Sequence, residues 1–215
     1  LRTRWILIGE DFRFGTGRAG DVALLRALGL RFGFDVETVS TVEQGGHRVS
    51  SSAVREALAA GDLRRAEALL GRPYSISGRV EHGNKLGREL GFATANIQLQ
   101  HNRPPLMGIY AVRVHGAGLG NGGPRDGVAS LGVRPTVASG GKAVLEVHLF
   151  DSPGELYRKH LRVEFLQKIR DEEKYPDLET LRAQIARDCD AARRYLMAHR
   201  PGEPASPLRV EHGNG

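Results

Sequence analysis

The chain has 215 residues, 40% hydrophobic and 26% charged, which gives room for one large or two modest domains with a buried core. No apolar run approaches the ~20 residues of a membrane helix, the opening residues do not read as a charged-then-apolar leader, and the single cysteine, Cys189, excludes an internal disulfide framework and fits a reducing, cytoplasmic setting. A formal charge of +6 suits an anionic partner, either a polyphosphate nucleotide or a nucleic acid; the basic residues are scattered rather than gathered in one run, which weakens the second reading.

Trp5-Ile6-Leu7-Ile8 is a short continuous apolar run, the pattern of a strand buried on both faces. A polar, glycine-rich segment, residues 9–18, follows it. Asp21 caps a helix over Val22–Phe32 that ends near Gly33, and Phe34, Val36 and Val39 form a second strand, so the segment reads as a βαβ unit. Ser50-Ser51-Ser52 opens a helix that stops at Gly61, and Asp62 opens another over Leu63–Leu70, stopped by Gly71 and Pro73. Hydroxyls, free N–H groups and Arg55 at the first of these helix starts can grip a phosphate or simply cap the helix. Two parallel strands cannot make a stable doubly wound sheet, so residues 1–72 read as the back part of an α/β domain whose front part lies upstream of Leu1.

From Tyr74 the texture changes to short strands: residues 76–82, 108–115, 127–131, 144–150 and 161–166, with 97–99 as a weaker sixth. Leu145, Val147 and Leu149 alternate with Val144, Glu146, His148 and Phe150, a period of two. No helix-length pattern separates these strands, so antiparallel pairing is expected, and a small closed barrel removes their edges. Asp177 caps a last helix with an apolar stripe of Leu178, Leu181, Ile185, Cys189, Ala192 and Leu196; Cys189 on that stripe reads as a small buried hydrophobe. Residues 198–215 read as a mobile tail. Within it the hexapeptide from Arg209 to Asn214 repeats that from Arg79 to Asn84, without flanking similarity and without a physical account.

Chemistry concentrates in Gly87-Arg88-Glu89-Leu90-Gly91-Phe92-Ala93-Thr94-Ala95-Asn96. Glycines let backbone N–H groups approach phosphate, arginine adds charge, and Thr94 and Asn96, two apart in an extended segment, put a hydroxyl and an amide oxygen on one side, where a hard cation could sit. A glycine-bearing turn entering a strand explains the same residues. Phosphoryl transfer also needs a group to accept the attacking hydroxyl's proton. Glu146, in mid-strand, is the candidate, its alternative being an outward-facing glutamate on a half-exposed strand; His148 shares its face and reads as a rim histidine rather than a ligand. No His/Cys spacing for zinc, no P-loop and no Gly-x-Ser-x-Gly elbow occurs.

The run from Gly78 to Ile97, including Gly83-Asn84-Lys85, followed by Gly108-Ile109-Tyr110-Ala111-Val112, by Ser130-Leu131-Gly132-Val133-Arg134-Pro135-Thr136, by Leu145-Glu146-Val147-His148-Leu149-Phe150-Asp151 and by Leu166-Gln167-Lys168-Ile169-Arg170, resembles the riboflavin kinase family. Gly9-Glu10-Asp11-Phe12-Arg13-Phe14-Gly15 and Val49-Ser50-Ser51-Ser52-Ala53-Val54-Arg55 resemble later motifs of the FMN adenylyltransferase (FAD synthetase) module, and the ordered set is similar to the bifunctional bacterial enzymes over residues 1–197. The resemblance implies an incomplete Rossmann-like nucleotidyltransferase over 1–72, then a six-stranded antiparallel β-barrel with a C-terminal α-helix over 73–197. It implies that ATP phosphorylates riboflavin to FMN, with Thr94 and Asn96 binding Mg²⁺ and ATP phosphates and Glu146 as base. Gly83, Lys85, Gly87, Arg88 and Gly91 would cover the nucleotide, and Arg170 would help close over the flavin. Ser51, Ser52 and Arg55 would touch ATP phosphates in the adenylyltransferase part, which these residues alone are not expected to operate. Two departures stand out: Ala93 replaces the family's proline, removing a φ restraint, and Arg158 stands where the family has glycine. The competing reading is a basic barrel that binds nucleic acid without catalysis; with 6% aromatic residues it has no evident stacking platform.

Overall fold

The computed structural model describes residues 3–200 apart from 41, 45–46, 84–85, 100–103, 117, 120–122, 135–141 and 152–153; Lys85 and the expected tail beyond residue 200 lie outside the described residues. The chain forms two compact units, residues 1–51 and 52–215.

In the first unit β1 (Trp5–Gly9) pairs in parallel with β2 (Asp35–Val39), joined through α1 (Val22–Phe32). Asp21 accepts the Leu24 N–H at 2.9 Å, and Gly33 closes the helix at φ 77°, as their residue types dictate. Burial of β1 on both faces is not observed. Ile6 and Ile8 are half-buried, while Trp5 and Leu7 are 51% and 48% exposed. The physical reason is that this unit holds a two-stranded sheet and one long helix among its described residues, so only one sheet face has an apolar partner. A hairpin unforeseen in the sequence, β3 (Glu43–Gln44) with β4 (His47–Arg48), follows. Arg48 bonds Asp11 at 2.5 Å, and that guanidinium holds the Asp11 carboxyl below its ordinary range.

The second unit begins within α2 (Ser51–Ala59), followed by α3 (Leu63–Leu70), whose cap Asp62 accepts the Arg65 N–H at 3.0 Å. Ala57, Leu58, Leu63 and Ala66 from these helices share one core with Val80, Tyr110, Leu145, Val163 and Phe165 of the strands. The compact boundary therefore falls before these helices, whereas the change of sequence texture falls after them, at 72/73: their polar faces read as part of the first segment, but their apolar faces are buried by the second.

Six strands close a barrel: β5 (Ser75–Glu81), β6 (Ala95–Ile97), β7 (Gly108–Gly116), β8 (Arg125–Arg134), β9 (Lys142–Leu149) and β10 (His160–Arg170), in the order β10-β5-β6-β9-β8-β7 and antiparallel throughout. Leu145, Val147 and Leu149 point into the barrel, so Glu146 and His148 point out of it. β10 runs beyond the expected end at residue 166, because two irregularities, at Phe165/Gln167 and Lys168/Arg170, let polar residues stay paired with β7. The outer face around Ile109, Ala111 and Val128 is covered by α5 (Leu178–Ala198) through Cys189, Ala192 and Leu196. Asp177 caps α5, accepting the Thr180 N–H at 2.7 Å. Leu178, counted in the stripe, is 56% exposed: it lies in the first turn, ahead of the barrel contact. Burial pushes the Cys189 thiol up to about 11, so the residue serves as a packed hydrophobe, as expected.

Candidate active site

The site grows from strand register. Asn96 on β6 faces Glu81 on one side and Glu146 on the other; Glu146 faces Ser130 of β8, Ser130 faces Ile109 of β7, and Ile109 faces Arg170 of β10. Directly opposed residues of antiparallel strands share a face, so this row runs around the outside of the barrel. Glu146 is thus not a core charge: it faces outward on a half-exposed strand, the alternative the sequence offered. It is half-buried, outward-facing and roofed by a cavity.

That cavity, about 580 Å³, is lined by Thr94, Ser130, Glu146, His148, Arg170 and Tyr175 together with apolar groups of β7, β8 and α5. A second, of about 560 Å³, is lined by His82, Gly83, Arg88, Gly91, Thr94 and Tyr157. Thr94 and His148 border both, so the two spaces meet along β6 and β9. Both lie within the second unit. Ser51, Ser52 and Arg55, exposed in the N-terminal half of α2, line neither.

Two glycines are required by close approach. A Cβ on Gly83 would collide with the Asn96 carboxamide, and one on Gly87 would lie 2.5 Å from the Phe92 carbonyl oxygen and 3.4 Å from Thr94 Oγ1. Each glycine therefore packs its backbone against one of the two expected ligands. Gly87 lies within α4 (Leu86–Glu89), a single helical turn closed by the Phe92 N–H on the Gly87 carbonyl at 2.6 Å and by Gly91 at φ 88°. Asn96 lines neither cavity; it sits beneath Gly83 and beside Glu146 in the register row.

At Ala93, His148 Nδ1 lies 3.0 Å from the carbonyl oxygen. A carbonyl only accepts, so the ring carries its proton on Nδ1 in this contact. The bond ties down the residue preceding Thr94 where a proline ring would otherwise restrict it. His148 is thus a rim residue, as expected, with a structural partner.

Arg170 is fixed more firmly than sequence reading foresaw. Its Nε reaches both Asp188 carboxylate oxygens at 2.9 and 3.1 Å, one terminal nitrogen reaches Asp188 Oδ2 at 2.7 Å, and the other reaches the Asp171 carbonyl at 2.8 Å. Gln184 Nε2 adds a bond to Asp188 at 2.9 Å. Burial opposes the guanidinium's charge, yet the Asp188 carboxylate holds its pKa above the ordinary value. Asp188 is 4% exposed and also lines the larger cavity. It was missed because it directly precedes Cys189 on the apolar stripe; the available signal was a carboxylate flanking buried positions, four residues after Gln184.

Among the described residues no cluster of three His, Cys, Asp or Glu side chains forms a metal site. The Thr94 hydroxyl, the Asn96 amide oxygen and the neighbouring Glu146 carboxylate are instead an all-oxygen set, the kind a hard divalent cation takes together with phosphate oxygens. Elsewhere on the barrel charges alternate in sign, as in Arg113 with Asp126 at 2.9 Å and Arg162 with Glu164 at 3.0 Å, unlike the single-sign stripe that nucleic acid favours. No helix among the described residues is long and apolar enough to cross a membrane.

A family model described as riboflavin kinase matches residues 70–196, and one described as FAD synthetase matches residues 1–53. The chain is 48% identical over 201 residues to the bifunctional riboflavin kinase/FMN adenylyltransferase of Escherichia coli K12, covering 94% of this chain and 63% of that protein. It is 52% identical over 193 residues to the protein of the same name from Pseudomonas fluorescens, covering 90% and 61%. The chain thus spans less than two thirds of the length of these curated relatives. Among solved structures it is similar to one described as a macrolide-efflux protein from Streptococcus pneumoniae, with 31% identity and a TM-score of 0.65 over 86% of this chain and 60% of that one.

Proposed function

The chain belongs to the riboflavin kinase family, and from that premise we propose that residues 73–197 transfer the terminal phosphoryl group of ATP to the 5′-hydroxyl of riboflavin, giving FMN and ADP. The observation that carries this reading is the meeting of two cavities at Thr94, with Glu146 on the same register row as Asn96.

The smaller cavity takes ATP. Backbone N–H groups around Gly83 and Gly91, with the side chain of Arg88, face its phosphates; Gly87, which borders the larger cavity, and Lys85 belong to the same segment. The larger takes riboflavin, with Arg170 and Tyr175 on its wall and the ribityl chain directed toward β9. Glu146 accepts the proton of the 5′-hydroxyl as that oxygen forms its bond to phosphorus and the bond to the ADP oxygen breaks. Thr94 and Asn96 would hold Mg²⁺, which when bound offsets charge on the phosphates. His148 and Gly83 keep these two residues in place through Ala93 and through direct packing.

The match of residues 1–53 supports a further reading for the whole protein, adenylylation of FMN to FAD, with Ser51, Ser52 and Arg55 at ATP phosphates. The kinase step draws only on groups within 73–197 and is the activity proposed for this chain. A reducing, cytoplasmic setting accords with its buried Cys189 thiol. The direct test is incubation of the folded protein with riboflavin, ATP and Mg²⁺ and separation of the flavins. FMN should accumulate; a folded protein that makes none ends the reading.

A further inference from the structure

Arg158 is held in the left-handed region, at φ 64°. It occupies the third position of a turn over residues 156–159, closed by the Lys159 N–H on the Leu156 carbonyl at 3.0 Å, and its own N–H donates to the Val80 carbonyl at 3.0 Å. Such a turn with positive φ at that position selects glycine, because a Cβ there is strained. The backbone is therefore fixed from two sides in a conformation that disfavours the residue present. Strain of this kind persists where the side chain does something a glycine cannot.

The side chain makes one contact of note. The Arg158 guanidinium lies 5.7 Å from the centre of the Tyr157 ring, and Tyr157 stacks on His82 with centroids 3.8 Å apart and planes 23° from parallel. Both rings line the cavity assigned above to ATP. We propose that Arg158 is a positioning residue for the nucleotide: its cation holds the Tyr157 ring in register with His82, so that the two rings form a rigid aromatic wall against which the nucleotide docks. The proposal rests on the reading of that cavity as the ATP side. It places a determinant of nucleotide affinity at a residue that touches the wall without itself lining the cavity.

The test measures ADP binding in the presence of Mg²⁺ by titration calorimetry, with the melting temperature, for the parent, Arg158→Gly, Arg158→Ala and Arg158→Lys. Removing the guanidinium should weaken ADP binding about two- to fivefold, the size of an exposed cation–ring contact, in both the glycine and alanine variants. Arg158→Lys should keep most of the affinity. Only the glycine variant relieves the backbone, so it alone should melt higher, by about 2 °C. In a Tyr157→Leu background the Arg158→Ala change should cost no further affinity. ADP affinity unchanged in the glycine and alanine variants overturns the proposal, and so does an equal loss with and without Tyr157, which would mean that Arg158 acts as a bare charge. A parent that binds riboflavin but no ADP overturns the assignment of the cavity, and this proposal with it.

Discussion

The two cavities that meet at Thr94 are built by different means. The one assigned to nucleotide carries glycine backbone and rings on its wall: Gly83, whose missing side chain admits Asn96, then Gly91, and a stacked His82–Tyr157 pair. The one assigned to flavin has an apolar wall from β7, β8 and α5 with a buried ion pair set into it, Arg170 clamped by Asp188 from α5, and Glu146 standing beside Ser130. A cavity shaped by backbone fails when a side chain is added; a cavity shaped by a buried ion pair fails when a partner is removed.

Substitutions on each side should therefore give reciprocal defects. Gly83→Ala forces the Asn96 carboxamide aside, and kcat/KM for ATP should fall on the order of 10- to 100-fold while riboflavin binding persists; equal losses for both substrates would break the distinction. Asp188→Leu leaves the Arg170 charge without its partner. Riboflavin KM should rise several-fold with ATP KM unchanged, and the protein should lose about 3–5 kcal/mol of stability in denaturant titration. An ATP-side defect in that variant would show that the clamp serves the whole barrel rather than one cavity.

A smaller effect concerns α5 alone. The Cys189 thiol has its pKa raised from 9.0 to about 11 by burial, so the folded state favours the neutral form. Its contribution is fully present below the unfolded value near 9.0 and is lost as pH rises toward about 11. Cys189→Ala should flatten the alkaline fall in stability over that window; an unchanged slope would assign the fall to other groups, Tyr110 among them, whose hydroxyl burial pushes up to about 12.

These differences also explain what could be read from the sequence. Period-two alternation marked the strand of Leu145, Val147 and Leu149, because local pattern and backbone geometry are directly linked, whereas Thr94 borders both cavities and Asn96 lines neither. The row that brings Asn96, Glu146, Ser130 and Arg170 together depends on register across four strand pairings and on irregularities in β10, none of which leaves a local signature. Asp188 was hidden because its neighbour Cys189 belongs to the apolar stripe, and a carboxylate beside a stripe ordinarily faces water. The exposed face of β1 and the sharing of α2 and α3 with the barrel core escaped for a related reason: hydrophobic pattern says that a face wants cover, not which element supplies it.

The central claim is that Glu146 works on two substrates held by two separate cavities. It is tested most directly by Glu146→Gln, measured for riboflavin binding, for ADP binding with Mg²⁺ and for FMN formation in one preparation. Both ligands should bind as they do to the parent while turnover falls by about 10²- to 10⁴-fold, the worth of a positioned proton acceptor. Turnover equal to the parent, with both ligands bound, would contradict it.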